Sequence, residues 1–187
     1  MKVKVKISAR HVHLNLKDFY YLFPNTEMEI DFELSQKGQF ASNLYVTLEA
    51  NGERIDHVRI LGPIREYTQV EISCTDAYLL KLNPPVRDSG VLNNASIITI
   101  CNGERKITRD CCIIANRHIH IDKQTREKLK LYNINKVKLV APGIKGGILD
   151  NVFIKERDDF VYEAHLDVDD ANSHLIKNNS ELEIMVD

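Results

Sequence analysis

The sequence predicts a mainly β protein built as two related halves. Three features carry that reading: period-two alternation of apolar residues, two Asn-Gly turns set between apolar runs, and an internal duplication around a histidine motif. The 187 residues are 43% hydrophobic and 28% charged, a composition that folds rather than staying disordered. That length suits one domain or two small interlocked ones and falls short of a triosephosphate isomerase-type barrel of about 250 residues. The balance of 25 basic and 27 acidic side chains, net charge -2, gives no broad basic surface for nucleic acid or anionic membrane. No apolar run approaches the roughly 18 residues of a membrane span. Met1 to Lys6 leads into alternation without a signal-peptide core. A cytoplasmic protein with no nucleic-acid or membrane partner is expected.

Element by element, Lys2 to Ser8 alternates Lys with Val or Ile and reads as a strand with one buried face. Asn15 is placed to cap a short helix that Pro24 should stop. Met28 to Leu34 alternates again. Leu44 to Ala50 and Arg54 to Leu61 flank Asn51-Gly52, and Ala95 to Cys101 and Lys106 to Ile114 flank Asn102-Gly103. Both pairs read as hairpins, because Asn-Gly tolerates the positive φ of tight turns. Further strands are expected at Thr68 to Ser73, Val137 to Val140, Ile148 to Lys155, Phe160 to Leu166 and Glu181 to Val186, with short helices after Thr75, Asp122 and Asp169. The stretch from Asn83 to Gly90 reads as a surface connector.

The duplication links distant residues. Ile7-Ser8-Ala9-Arg10-His11-Val12-His13-Leu14 returns as Ile114-Ala115-Asn116-Arg117-His118-Ile119-His120-Ile121, displaced by 107 positions (13 to 120). Asp56-His57-Val58-Arg59-Ile60 returns as Asp150-Asn151-Val152-Phe153-Ile154, displaced by 94 (56 to 150). The same 94 places Glu71 on His165 and Thr75-Asp76-Ala77 on Asp169-Asp170-Ala171. The first half thus holds 13 more residues (107 less 94), expected around Met28 to Ser42.

Each half therefore supplies two histidines at i and i+2 and one further ligand type: His11, His13 and Glu71, then His118, His120 and His165. On a strand, i and i+2 share a face, so each pair can chelate one ion while Val12 or Ile119 turns to the core. Three N/O donors with one position left for water or substrate describe a catalytic zinc site rather than a closed structural one. One H-x-H on a strand is commonly just a polar face. Repetition shifts the balance, because five of the seven histidines fall on the matched ligand positions and only His57 and His174 do not.

Arg65 precedes Glu71 by six residues and can hold an anion through its guanidinium fork, although alone it would read as a surface ion pair. Asp158, Asp159, Asp167, Asp169 and Asp170 lack EF-hand spacing and read as turns or caps. Cys74, Cys101, Cys111 and Cys112 lack C-x-x-C spacing and read as reduced, structural thiols. P-loop, dinucleotide and G-x-S-x-G motifs are missing from the sequence, which disfavours P-loop nucleotide hydrolysis and serine esterase chemistry.

Ser8-Ala9-Arg10-His11-Val12-His13-Leu14, Leu34 to Ala41, Leu61-Gly62-Pro63-Ile64-Arg65, Gln69 to Ser73, Asn83 to Arg87, Arg117-His118-Ile119-His120 and His165 together resemble the PduL-type phosphotransacylases, also called phosphate propanoyltransferases. The resemblance spans about Lys4 to Asn172; Lys37 and Asn116 depart from the family pattern, and neither is an expected ligand.

This resemblance implies two small β-barrels capped by short helices, one from residues 1–9 with 116–187 and one from 10–115, with the active site at their junction. It implies two zinc ions, one on His11, His13 and Glu71 that meets the coenzyme A sulfur, the other on His118, His120 and His165. Arg65 matches the phosphate-binding position, and Ser8, Arg59, Leu61 and Asn172 match coenzyme A contacts. The implied reaction passes a short acyl group, acetyl or propanoyl, between coenzyme A and inorganic phosphate. A homodimer or larger homo-oligomer is implied as well. Because the chain starts near the first strand, no extension of the kind that sends some relatives into bacterial microcompartments is expected. The competing readings are a metal-dependent acyl-CoA thioesterase, which would not need Arg65, and a non-catalytic zinc-binding β-barrel module.

Overall fold

Alternation at the amino end places Val3 and Val5 inward, at 1% and 0% exposure, with lysines between them. The computed structural model describes residues 1–186. In chain order the elements are β1 (Lys2–Ser8), β2 (His11–His13), α1 (Leu16–Leu22), β3 (Ile30–Glu33), β4 (Phe40–Ala50), β5 (Glu53–Gly62), β6 (Gln69–Glu71), α2 (Cys74–Leu79), β7 (Val86–Arg87), β8 (Ser96–Asn102) and β9 (Arg105–Ala115). The chain continues with β10 (His118–Ile121), α3 (Lys123–Lys128), β11 (Lys136–Ala141), β12 (Gly147–Glu156), β13 (Glu163–Asp167), α4 (Val168–Ser173) and β14 (Glu181–Met185).

The fold is mainly β. It divides into two units, one from Met1–Ala9 together with Asn116 onward, the other from Arg10–Ala115. The first closes as a six-stranded barrel in the order β1-β13-β10-β12-β11-β14. The second closes through β4-β5-β2-β6-β9-β8, with β8 returning to pair β4. Each barrel has its own core. Val3, Val5, Ile119, Ile121, Leu139, Val152, Leu166 and Leu182 fill one, and Val12, Leu14, Leu48, Ile60, Val70, Ile98 and Ile100 fill the other. Burying one such aliphatic side chain stabilises by about 1.5–3 kcal/mol, so each barrel is held chiefly by its lining.

The two rings share one wiring. β2 lies between a parallel β5 and an antiparallel β6, and β10 lies between a parallel β12 and an antiparallel β13. β6 then pairs in parallel with β9, and β13 with β1. β1 and β9 are therefore equivalent, and each is followed in the chain by the H-x-H strand of the other unit.

Finer marks repeat too. The register slips between Val46 and Leu48 opposite β5 and between Val137 and Leu139 opposite β12. At those bulges His57 and Asn151, matched at displacement 94, both take positive φ, 58° and 55°. Arg10 pairs with Asp76, and Arg117 with Asp170. The architecture is compatible with an internal duplication.

Several sequence expectations need correction. α2 starts after Ser73 rather than Thr75, because Ser73 and Asp76 form a reciprocal capping box. α4 starts after Asp167 rather than Asp169, since the Asp167 carboxylate accepts from the Asp170 amide at 2.8 Å. The predicted strand from Phe160 begins only at Glu163. Met28 to Leu34 yields only Ile30–Glu33, exposed throughout, because β3 pairs with Phe40–Ser42 beyond the closed ring and has no second strand neighbour among the described residues to bury it. The expected connector at Asn83 to Gly90 carries the short β7, paired with β9. Asn51-Gly52 makes its turn with φ of 50° and 80°. In the other hairpin the turn moves to Gly103-Glu104, because Asn102 stays in β8 and donates its amide to the Leu22 carbonyl at 2.9 Å.

Candidate metal centres

In β2 the alternation turns Val12 fully inward and leaves His11 and His13 on the other face. Across the antiparallel pair His11 stands directly opposite Glu71, and His13 opposite Gln69. In β10 the same geometry sets His118 opposite His165 and His120 opposite Glu163. The sequence displacement that matched Glu71 to His165 is thus a register equivalence. His11, His13 and Glu71 gather in one unit, and His118, His120 and His165 in the other, with the donor atoms of each trio within 4.8 Å of one another.

Local bonding prepares these rings as ligands. Nδ1 of His13 faces the Leu61 carbonyl at 3.2 Å, and Nδ1 of His118 faces that of Asn116 at 2.7 Å. A carbonyl only accepts, so these nitrogens carry the proton and each Nε2 keeps its lone pair. Burial, then the charges of His11 and Arg65, pushes His13 well below the usual histidine range. Burial, then Lys155, does the same for His118, and burial with His165 and Lys155 pushes His120 down to about 3. Neutral imidazoles are the ligand form.

The second trio is closely stacked, with His118 and His165 centroids 5.0 Å apart and His120 and His165 4.5 Å apart. Phe160 backs His120 at 3.9 Å and is itself covered by Arg157. Nδ1 of His120 and Nε2 of His165 are buried and have no hydrogen-bond partner among the described residues. Such orphaned lone pairs are costly unless an ion meets them, so the residues fit a metal. In the first trio His11 Nε2 lies 3.5 Å from Glu71 Oε2. Gln69, fully buried, donates to Glu71 Oε1 at 2.6 Å and fixes the carboxylate. A donor set of imidazoles with a carboxylate suits zinc and other borderline divalent ions.

Arg65 lies in the same unit as the first trio. It donates to Tyr67 Oη at 3.3 Å, Ser89 Oγ at 3.2 Å and Gln39 Oε1 at 3.3 Å, all neutral oxygens. Ser89 also accepts from Gln69 at 2.9 Å, so one network joins Arg65 to Glu71. Arg59 and Leu61 lie on β5 in this unit, with Arg59 paired to Asp31 and set against Tyr45 and Phe32. Ser8 on β1 and the exposed Asn172 on α4 belong to the other unit. There Ser8 pairs in register with Asp167, the α4 cap.

Reading the sequence missed Gln69 and Glu163 as site residues. The displacement of 94 matches them, and both sit two positions before the third ligand. That shared offset was the available signal. The four cysteines are unpaired, and the three buried ones are raised, Cys101 to about 11 and Cys111 to about 12, chiefly by desolvation. They suit packing better than nucleophilic attack.

Two six-stranded barrels, each converging three ligand-type side chains, define a mainly β protein with two candidate metal centres. The family model of phosphate propanoyltransferase matches residues 4–177. A Thermotoga maritima protein of that name is 40% identical over 186 residues, covering 98% of this chain and 88% of the relative. A Rhodopseudomonas palustris protein of the same name is 38% identical over 185 residues, covering 98% and 82%, and one from Limosilactobacillus reuteri is 35% identical over 173 residues, covering 91% and 81%. The chain belongs to the phosphate propanoyltransferase family and is an acyltransferase.

Proposed function

We propose that this acyltransferase moves a short acyl group, acetyl or propanoyl, reversibly between coenzyme A and inorganic phosphate, with one zinc ion on His11, His13 and Glu71 and a second on His118, His120 and His165. Beyond family membership, one observation supports it most: each barrel presents a register-equivalent trio of imidazole or carboxylate donors, and the second trio holds unpartnered lone pairs. Bound there, zinc supplies a Lewis acid for developing oxyanion charge and a soft partner for the departing thiolate.

The chain's own residues bind and orient. Arg65, held by Tyr67, Ser89 and Gln39, offers its fork to phosphate, whose oxygen forms the bond to the acyl carbon as the carbon–sulfur bond breaks. Gln69 keeps the Glu71 carboxylate aimed, while the Ser89 hydroxyl, accepting from both Gln69 and Arg65, links that amide to the phosphate-binding arginine. Arg59, between Phe32 and Tyr45, offers a guanidinium to the anionic part of coenzyme A, with Ser8, Leu61 and Asn172 as further contacts.

The test is coenzyme A release from acetyl-CoA and propanoyl-CoA by the metal-replete protein, with and without phosphate and with a chelator. Phosphate-dependent, chelator-sensitive release with acyl phosphate as product is expected. Release indifferent to phosphate would make the protein a thioesterase, and no release would leave a binding module.

A further inference from the structure

The groups around Arg65 keep protons to give. Nη1 of Arg65 donates to Tyr67 Oη at 3.3 Å and to Ser89 Oγ at 3.2 Å. Both are long bonds to neutral oxygens. The Ser89 hydroxyl also accepts from Gln69 Nε2 at 2.9 Å. Gly90 fixes that direction, because its backbone amide can only donate and meets Gln69 Oε1 at 2.7 Å, which turns the NH2 end of Gln69 toward Ser89. Both lone pairs of Ser89 are thus committed to donors, and no described residue accepts its proton. Tyr67 is alike: its oxygen accepts from Arg65, and its proton has no acceptor among the described residues.

Both hydroxyls lie within 3.3 Å of the same nitrogen, so an anion oxygen placed on Nη1 has two further donors beside it. Ser89 is exposed and Tyr67 half-buried, so water takes their protons in the free protein. An anion makes the stronger hydrogen bond and displaces that water. Gly90 keeps the approach open: with φ of 90° it carries no side chain where a Cβ would stand 3.2 Å from Tyr67 Oη. We propose that Tyr67 and Ser89 bind substrate directly, donating their hydroxyl protons to the phosphate that Arg65 holds. The inference rests on the reading of Arg65 as the phosphate-binding residue and deepens it, turning two supports of an arginine into parts of a three-residue anion receptor.

The experiment measures steady-state kinetics of the zinc-loaded, full-length protein with acetyl-CoA and inorganic phosphate, in Tyr67→Phe and Ser89→Ala, each alone and combined with Arg65→Ala. Either single variant should lower kcat/KM for phosphate by about 10–100-fold and leave KM for acetyl-CoA unchanged. Ser89→Thr, which keeps a hydroxyl, should recover part of the loss. A donor that touches phosphate keeps its contact without the arginine, so in the Arg65→Ala background each hydroxyl's removal should still cost about 3–10-fold. Effects that vanish in that background would make the hydroxyls mere supports of Arg65 and overturn the inference, as would unchanged phosphate kinetics in the single variants. Either result leaves the phosphate reading of Arg65 standing. Wild-type protein that releases coenzyme A without phosphate would instead remove the proposed reaction, and this inference with it.

Discussion

Gln69 donates from Nε2 to Oε1 of Glu71 at 2.6 Å while its own Oε1 accepts from the Gly90 amide at 2.7 Å. The amide is thereby fixed in orientation, and the carboxylate with it. Glu71 stands opposite His11, so its rotamer decides whether the first trio converges. Gln69→Ala should lower zinc affinity at that centre by about 10–100-fold and leave the second centre unchanged. Chelator competition on the folded variant measures this, and equal affinities would mean that Glu71 needs no support.

Arg65 is the clearest test of phosphate use. Its three side-chain partners are neutral, so their loss costs little folding energy, whereas a bound anion would lose its fork. Arg65→Ala should keep the fold and both ions and lower kcat/KM for phosphate by about 10²–10³-fold. Arg65→Lys, with charge but no fork, should fall between. Unchanged phosphate kinetics in Arg65→Ala would remove it from the mechanism.

Much of this was legible because each signal was local or repeated. Alternation fixed the inward Val3, Val5, Val12 and Ile119, and two displacements linked Glu71 with His165 across 94 positions. Helix starts were misread at Thr75 and Asp169, since several capping residues stand side by side and only the bonds to Asp76 and Asp170 decide between them. The exposure of Ile30 and Phe32 was hidden because alternation reports a strand but not how many neighbours it has. Gln69 and Glu163 were overlooked because neither is bound to its partner by spacing alone; their place opposite His13 and His120 exists only after pairing.

A half-buried pair, the buried Asp18 with the partly exposed Arg109, sets one acid limit on the second unit's stability. Burial pushes the Asp18 carboxyl up, but hydrogen bonds from Arg109 and Thr68 outweigh this and hold it below the usual aspartate range. A lowered folded-state value means the pair stabilises fully above the unfolded aspartate value near about 3.9 and is lost as pH falls through the folded one. Arg109→Met should destabilise by about 2 kcal/mol at neutral pH, discounted for the partial exposure of Arg109. In acid the gap from wild type should close, and urea melts across pH test this. A gap constant down to pH about 2 would show that packing, not charge, is lost.

The twin ion pairs behind the histidines carry the final prediction. Arg117 precedes His118 and binds Asp170 through Nε at 2.9 Å and through a terminal nitrogen at 2.6 Å, with its other nitrogen on the Asp150 carbonyl at 3.0 Å. This fork pins the start of β10 to α4 and to β12, the strand beside it. Arg10 does the same before His11 with a single contact to Asp76, whose carboxylate also closes the α2 capping box. The bidentate pair should therefore couple more strongly than the single one. A double-mutant cycle on Arg117→Ala and Asp170→Ala should give about 1–2 kcal/mol of coupling, and Asp170→Ala should also weaken metal binding at the second centre. Additivity within about 0.3 kcal/mol would mean that the barrel alone positions His118.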